Sequence, residues 1–145
     1  MKIGIGNDRH AIEIKKFLTK FLIDQGYNVI NYGSDEESYA DYCDYAFKVG
    51  EDVASKKLDY GILICNTGIG MSIAANKVKG VRCAKVSNVY EAEMTRRDNN
   101  ANVIALSAHT DINDLYKILD KFLKTEYLSI DRYNRRIEKI DNYDS

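Results

Sequence analysis

The chain has 145 residues, 45% of them hydrophobic, which is the size of one compact domain spanning 1–145. Its 21 basic residues nearly balance 22 acidic ones and no long run of one sign occurs, so charge excludes an evident nucleic-acid or membrane surface. The N-terminus "MKIGIGNDRH" lacks the apolar core of a signal peptide and no apolar stretch is long enough to span a bilayer, so a soluble cytoplasmic protein is expected.

In chain order, "KIGIG" (2–6) predicts a short buried strand, and 11–26 a helix with apolar residues at helical spacing and a glycine at its end. "YNVINYG" (27–33) predicts a second strand and 39–57 an amphipathic helix. "DYGILIC" (59–65) is a third strand, apolar enough to be covered on both faces, and 70–79 a helix. Strand 80–86, helix 89–100, strand 101–108 and helix 112–127 follow. This strict alternation with short connections predicts an α/β fold: a five-stranded parallel sheet with helices on both faces, a Rossmann-like three-layer sandwich. The tail 131–145 carries helical spacing but is too charged to cover a sheet alone, and it is expected to dock on something.

Three cysteines, Cys43, Cys65 and Cys83, form no CxxC pair and make an odd number, which argues against a disulfide framework and a zinc site. Cys43 and Cys83 read as small apolar residues in a core. Cys65 differs, because it ends the third strand and opens "ICNTGIGMSIAANK" (64–77). Ligands of open α/β sheets bind at the carboxyl ends of the strands. Gly68 and Gly70 let the backbone turn with its N–H groups converging, so the loop can hold an anion or a developing oxyanion, and Thr67 and Ser72 add hydroxyls. There is no Lys followed by Ser or Thr, so this is not a nucleotide P-loop. A thiol placed there can populate thiolate, take a proton from carbon and leave the loop to hold the oxygen that becomes negative, as an enediol reaction requires.

Taken with "GNDRHAIEIK" (6–15), "ADYCDYA" (40–46), "DNNANVIAL" (98–106) and "DRYNRRIEKI" (131–140), this stretch resembles the ribose-5-phosphate isomerase B family, which includes galactose-6-phosphate isomerase subunits. The resemblance covers roughly residues 1 to 140 in the same order. It implies an aldose–ketose isomerase of a sugar phosphate that works without metal or organic cofactor, a homodimer that can pair into tetramers, with active sites shared between subunits. Ribose 5-phosphate is the first expected substrate. A hexose phosphate such as galactose 6-phosphate or allose 6-phosphate, or a sugar-phosphate-binding protein that has lost catalysis, are the alternatives. The base cysteine falls on Cys65 and the oxyanion loop on Asn66, Thr67, Gly68, Ile69 and Gly70, followed by Met71 and Ser72. Asp8 and Tyr42 match sugar-contacting residues, and Asn99 matches an asparagine that reaches the substrate. Arg132 and Arg136 match two phosphate-binding arginines, and their spacing of four lets both guanidinium groups face one way on a helix.

Departures from the family pattern bear on the substrate. Arg9 stands where the family usually has His, which suits a phosphate contact. Asp98 stands where the family has the ring-opening His, and as the expected substitute base it has a lower proton affinity than imidazole. His109 replaces a frequent Arg, and Asn66 a Gly. His10 could be taken for the first-loop histidine by a shift of one, but Asp8, Glu13 and Lys15 align without a gap. The Cys43 that replaces a proline, and the absence of the usual glycines before Arg132, are read as structural.

Overall fold

The computed structural model describes residues 1–36 and 40–143. Five strands, β1 (Lys2–Asn7), β2 (Asn28–Asn31), β3 (Tyr60–Cys65), β4 (Cys83–Lys85) and β5 (Val103–Ser107), form one sheet in the order β2-β1-β3-β5-β4. Every pairing is parallel, as the alternating pattern predicts. The helices are α1 (Ile12–Asp24), α2 (Tyr42–Ala54), α3 (Ile69–Ala75), α4 (Val89–Asn99), α5 (Ile112–Lys124) and α6 (Asp131–Asp141). A 3-10 turn, Arg9–Ala11, precedes α1.

Period-two alternation divides the core into two layers. Ile62 and Ile64 of β3, with Ile104 and Leu106 of β5, pack against Leu18, Leu22, Ile118 and Phe122 of α1 and α5. Leu63 and Cys65, with Val103 and Ala105, face the other way onto Val49, Val53, Met71 and Ala75 of α2 and α3. The strand signal therefore fixes which layer the Cys65 side chain enters.

Helix starts follow local capping chemistry. The Asn88 side chain accepts from the Glu91 N–H at 2.8 Å, and the Glu91 carboxylate accepts from the Ser87 N–H at 2.7 Å. Asp111 caps α5 by accepting from the Asn113 N–H.

Several predicted elements are shorter than the periodicity suggests. Helix α3 stops at Ala75, where the backbone tightens into i→i−3 bonds from Lys77 and Val78, and the Asn76 side chain clasps both backbone groups of Cys83, at 2.9 and 2.8 Å. The predicted strand 80–86 is regular strand over Cys83–Lys85, and 27–33 over Asn28–Asn31. Helix α5 ends at Lys124, where Thr125 turns extended and its hydroxyl donates to the Lys121 carbonyl. The helix predicted over 39–57 is observed over Tyr42–Ala54, and Tyr39 lies outside the described residues.

The tail forms α6, with no buried residue of its own. It is anchored by Arg82, whose Nη1 donates to both Asp141 oxygens at 2.9 and 2.8 Å and whose Nε donates to the Asn99 carbonyl at 3.1 Å. Among the described residues no helix is long and apolar enough to cross a membrane.

Candidate active site

The strand order reverses between β1 and β3: the chain leaves β1 for β2 on one side and returns as β3 on the other. The loops after β1 and β3 therefore diverge and leave a crevice at the carboxyl edge. Cys65 closes β3 at that crevice, 5% exposed, and the Gly68 N–H donates to its Sγ at 3.1 Å. Gly68 has φ +80°, and a Cβ there would lie 2.9 Å from the carbonyl carbon of Leu106, so only glycine makes this turn against β5. At Gly70 a Cβ would meet the Tyr42 ring at 2.6 Å, so this second glycine lets Tyr42 lie on the start of α3. Thr67 accepts from the Ile69 N–H at 3.2 Å, and Asn66, Thr67 and Ile69 are exposed.

The loop after β5 grips the same stretch. The Ala108 N–H donates to the Cys65 carbonyl at 2.9 Å, and Ser107 Oγ donates to the Asn66 carbonyl at 2.9 Å. His109 Nε2 lies 2.7 Å from Asn66 Oδ1. The positions where this chain carries Asn and His thus meet each other rather than a third group. Ser107 was not legible as a site residue, although its place at the carboxyl end of a strand is the signal that could have found it.

Asp8 follows β1 and is nearly buried. Its N–H donates to the Ile64 carbonyl at 3.2 Å, which sets it alongside Cys65, while its carboxylate accepts from the His10 backbone N–H at 3.0 Å and pairs with His10 Nδ1 at 3.1 Å. Arg9, between them, is exposed. Two predicted members point elsewhere. The Met71 side chain is fully buried in the α2/α3 layer, so only its backbone can serve the loop. Ser72 hydrogen-bonds to Cys83, whose thiol burial pushes up to about 12, which keeps Cys83 a neutral packing group. Cys43 is half-buried against the same layer.

The remaining predicted residues lie at the other end of the sheet. Helix α4 runs back from the carboxyl edge, so Asp98 and Asn99 sit where β5 begins, and α6 with Arg132 and Arg136 is anchored there through Arg82 and Asp141. The length of a six-residue strand, about 20 Å, separates them from Cys65 within one chain. Arg97 Nε donates to Asp98 Oδ1 at 2.7 Å. This Arg97 bond, with Tyr133 and the Arg132 charge adding to it, holds the Asp98 carboxyl below the usual carboxylate range. An environment that favours the carboxylate suits a salt-bridge partner better than a proton acceptor. The Arg132 guanidinium lies 5.0 Å over the Tyr133 ring. An open cavity of about 640 Å³ adjoins this edge, bordered by Arg82, Thr95, Asn99, Ile140 and Tyr143. Among the described residues no cluster of His, Cys, Asp and Glu could hold a metal ion.

Comparison with known proteins agrees over nearly the whole chain. Residues 3–140 match the model of the Ribose/Galactose Isomerase family. Ribose-5-phosphate isomerase B of Escherichia coli is 37% identical over 140 residues, covering 96% of this chain and 93% of that protein. The ribose-5-phosphate isomerase B structure from Clostridium thermocellum superposes with a TM-score of 0.94 at 42% identity, covering 97% of this chain and 95% of that one. The Mycoplasma genitalium ribose-5-phosphate isomerase B structure, with bound ribulose-5-phosphate, superposes with a TM-score of 0.93 at 39% identity, covering 98% and 95%. With this match over residues 3–140, and a buried cysteine at the topological switch point that accepts the Gly68 N–H, the chain belongs to the ribose/galactose isomerase family of enzymes.

Proposed function

We propose that this protein interconverts an aldose phosphate and its ketose, ribose 5-phosphate and ribulose 5-phosphate first, through an enediolate formed by proton transfer at Cys65. The observation that carries the reading is Cys65 Sγ at the mouth of the β1/β3 crevice, already accepting the Gly68 N–H. A thiolate there takes the proton from C2 of the aldose and returns it to C1. The N–H groups of residues 66–70 steady the oxygen that becomes negative, and Thr67 orients it. Each such preorganised donor contributes about 3 kcal/mol to the transition state. The bound ribulose-5-phosphate of the Mycoplasma relative supports a five-carbon substrate.

Arg132 and Arg136 hold the phosphate, and Asn99 reaches the sugar. Because these residues lie at the opposite edge from Cys65 in one chain, the working site joins the carboxyl edge of one subunit to the amino edge of another. The reading therefore includes a homodimer with two shared sites.

Complementation tests both parts together. Cys65→Ser and the double variant Arg132→Ala, Arg136→Ala are each inactive alone. Mixed after dissociation and reassociation, half of the dimers are hybrids with one intact site of two, so about a quarter of wild-type activity on ribose 5-phosphate returns. No recovery would place each site within one chain. Faster turnover of galactose 6-phosphate or allose 6-phosphate than of ribose 5-phosphate would replace the five-carbon assignment.

A further inference from the structure

Opening a sugar ring needs a group that can both take and give a proton, and Asp98 and His109 each already hold a partner. Asp98 is paired with Arg97 at the amino edge, and His109 Nε2 is bonded to Asn66. His10 is the other histidine of the chain, it stands on the same edge as Cys65, and the steps assigned above do not use it.

We propose that His10, oriented by Asp8, is the acid–base group that opens the sugar ring before Cys65 acts. The inference rests on the sugar-phosphate isomerase reading and adds to it the residue responsible for one step. Asp8 is 8% exposed and fixed beside β3 by its own N–H on the Ile64 carbonyl. Its Oδ1 accepts the His10 backbone N–H at 3.0 Å and its Oδ2 faces His10 Nδ1 at 3.1 Å. A carboxylate only accepts, so Nδ1 carries the hydrogen and the Nε2 lone pair is left for substrate. A buried carboxylate that fixes the tautomer and orientation of an imidazole is the arrangement that makes histidine an effective base. The imidazole itself is 47% exposed and opens toward solvent rather than into the core.

The step balances within one group. Nε2 takes the proton of the anomeric O1–H, the C1–O4 bond breaks as C1=O1 forms, and the imidazolium returns the same proton to O4. Both oxygens are bonded to C1, so one side chain reaches both. The open-chain aldose that results is the species whose C2 proton Cys65 removes.

Exchange on the ketose supplies the control. Ribulose 5-phosphate is open-chain, because the hydroxyl that would close its five-membered ring carries the phosphate, so Cys65 exchanges its C1 hydrogen with solvent without ring opening. His10→Asn keeps an N–H donor for Asp8 but has no Nε2. In this variant kcat/KM for net isomerisation falls at least about ten-fold, by the same factor in both directions because the equilibrium is unchanged, while exchange of the ribulose 5-phosphate C1 hydrogen in deuterated water stays within about two-fold of wild type. His10→Gln shows the same split. Equal losses of isomerisation and of exchange, or no loss in either, would overturn the assignment to His10. A wild-type protein that turned over neither sugar phosphate would instead overturn the isomerase reading beneath it.

Discussion

His109 and Asn66, 43 residues apart in sequence, meet at 2.7 Å and join the loop after β5 to the loop that carries Cys65. With Ser107 holding the Asn66 carbonyl and Ala108 holding that of Cys65, the proposed oxyanion loop is fixed from its far side. The contact lies at the surface, so its effect on folding is small and its effect on loop position is direct.

A double-mutant cycle reads that effect. Asn66→Gly and His109→Ala each lower kcat/KM by about five- to ten-fold. Together they cost less than the sum, with a coupling of about 1 kcal/mol. Strict additivity would show that the pair does not position the loop.

Gly68 is where the turn tolerates no substitution. At φ +80°, with the Leu106 backbone against the missing Cβ, Gly68→Ala costs about 2 kcal/mol or more in unfolding free energy and abolishes turnover. Urea unfolding checks the first part and a steady-state assay the second. Retention of both wild-type stability and wild-type turnover would refute the turn argument.

Arg96 is a nearly buried cation that no carboxylate among the described residues pairs. It is held by the Asn100 side chain at 2.8 Å and the Ala101 carbonyl at 2.7 Å, with the Tyr60 ring 5.0 Å away. Among the described residues its Nε has no partner. Because Asn100 is the left-handed residue that ends α4, this side chain secures the turn between α4 and β5. Arg96→Leu loses about 2 to 4 kcal/mol of stability by leaving those acceptors unpaired. An unchanged urea midpoint would contradict this.

The Asp98 carboxyl sits below the usual range chiefly because Arg97 is bonded to it. A depressed folded-state value means that the unfolded chain binds more protons as the pH falls. The contribution is therefore present above the ordinary carboxylate range near 3.8 and is lost as the pH drops through the folded value. Asp98→Asn removes it, so the stability gap between wild type and variant narrows from about pH 6 to about pH 3. A gap constant over that range would mean that the ion pair does not stabilise the folded state.

The sequence was informative where a local pattern has one structural solution. The run ILIC announced a strand covered on both faces, as β3 is, and the glycines of the following loop announced the turn that Gly68 makes at φ +80°. What stayed hidden depends on topology. Nothing in "TRRDNN" says that Asp98 would be spent on Arg97, and nothing near residue 9 says that Asp8 would turn its carboxylate onto His10 rather than outward. The spacing of Arg132 and Arg136 was readable, but their place at the amino edge follows from α6 being anchored through Arg82, 59 residues from Asp141. The end of α3 was overextended because apolar periodicity carries no signal for the tightening of the backbone after Ala75.

Exchange of substrate hydrogen with solvent bears most directly on Cys65. In deuterated water, wild-type protein incubated with ribose 5-phosphate incorporates deuterium at C2 of the remaining aldose and C1 of the ketose, read by proton NMR. Cys65→Ser still binds the sugar phosphate in calorimetry but exchanges neither position above the rate without protein. Exchange by Cys65→Ser at the wild-type rate would show that another group moves the proton.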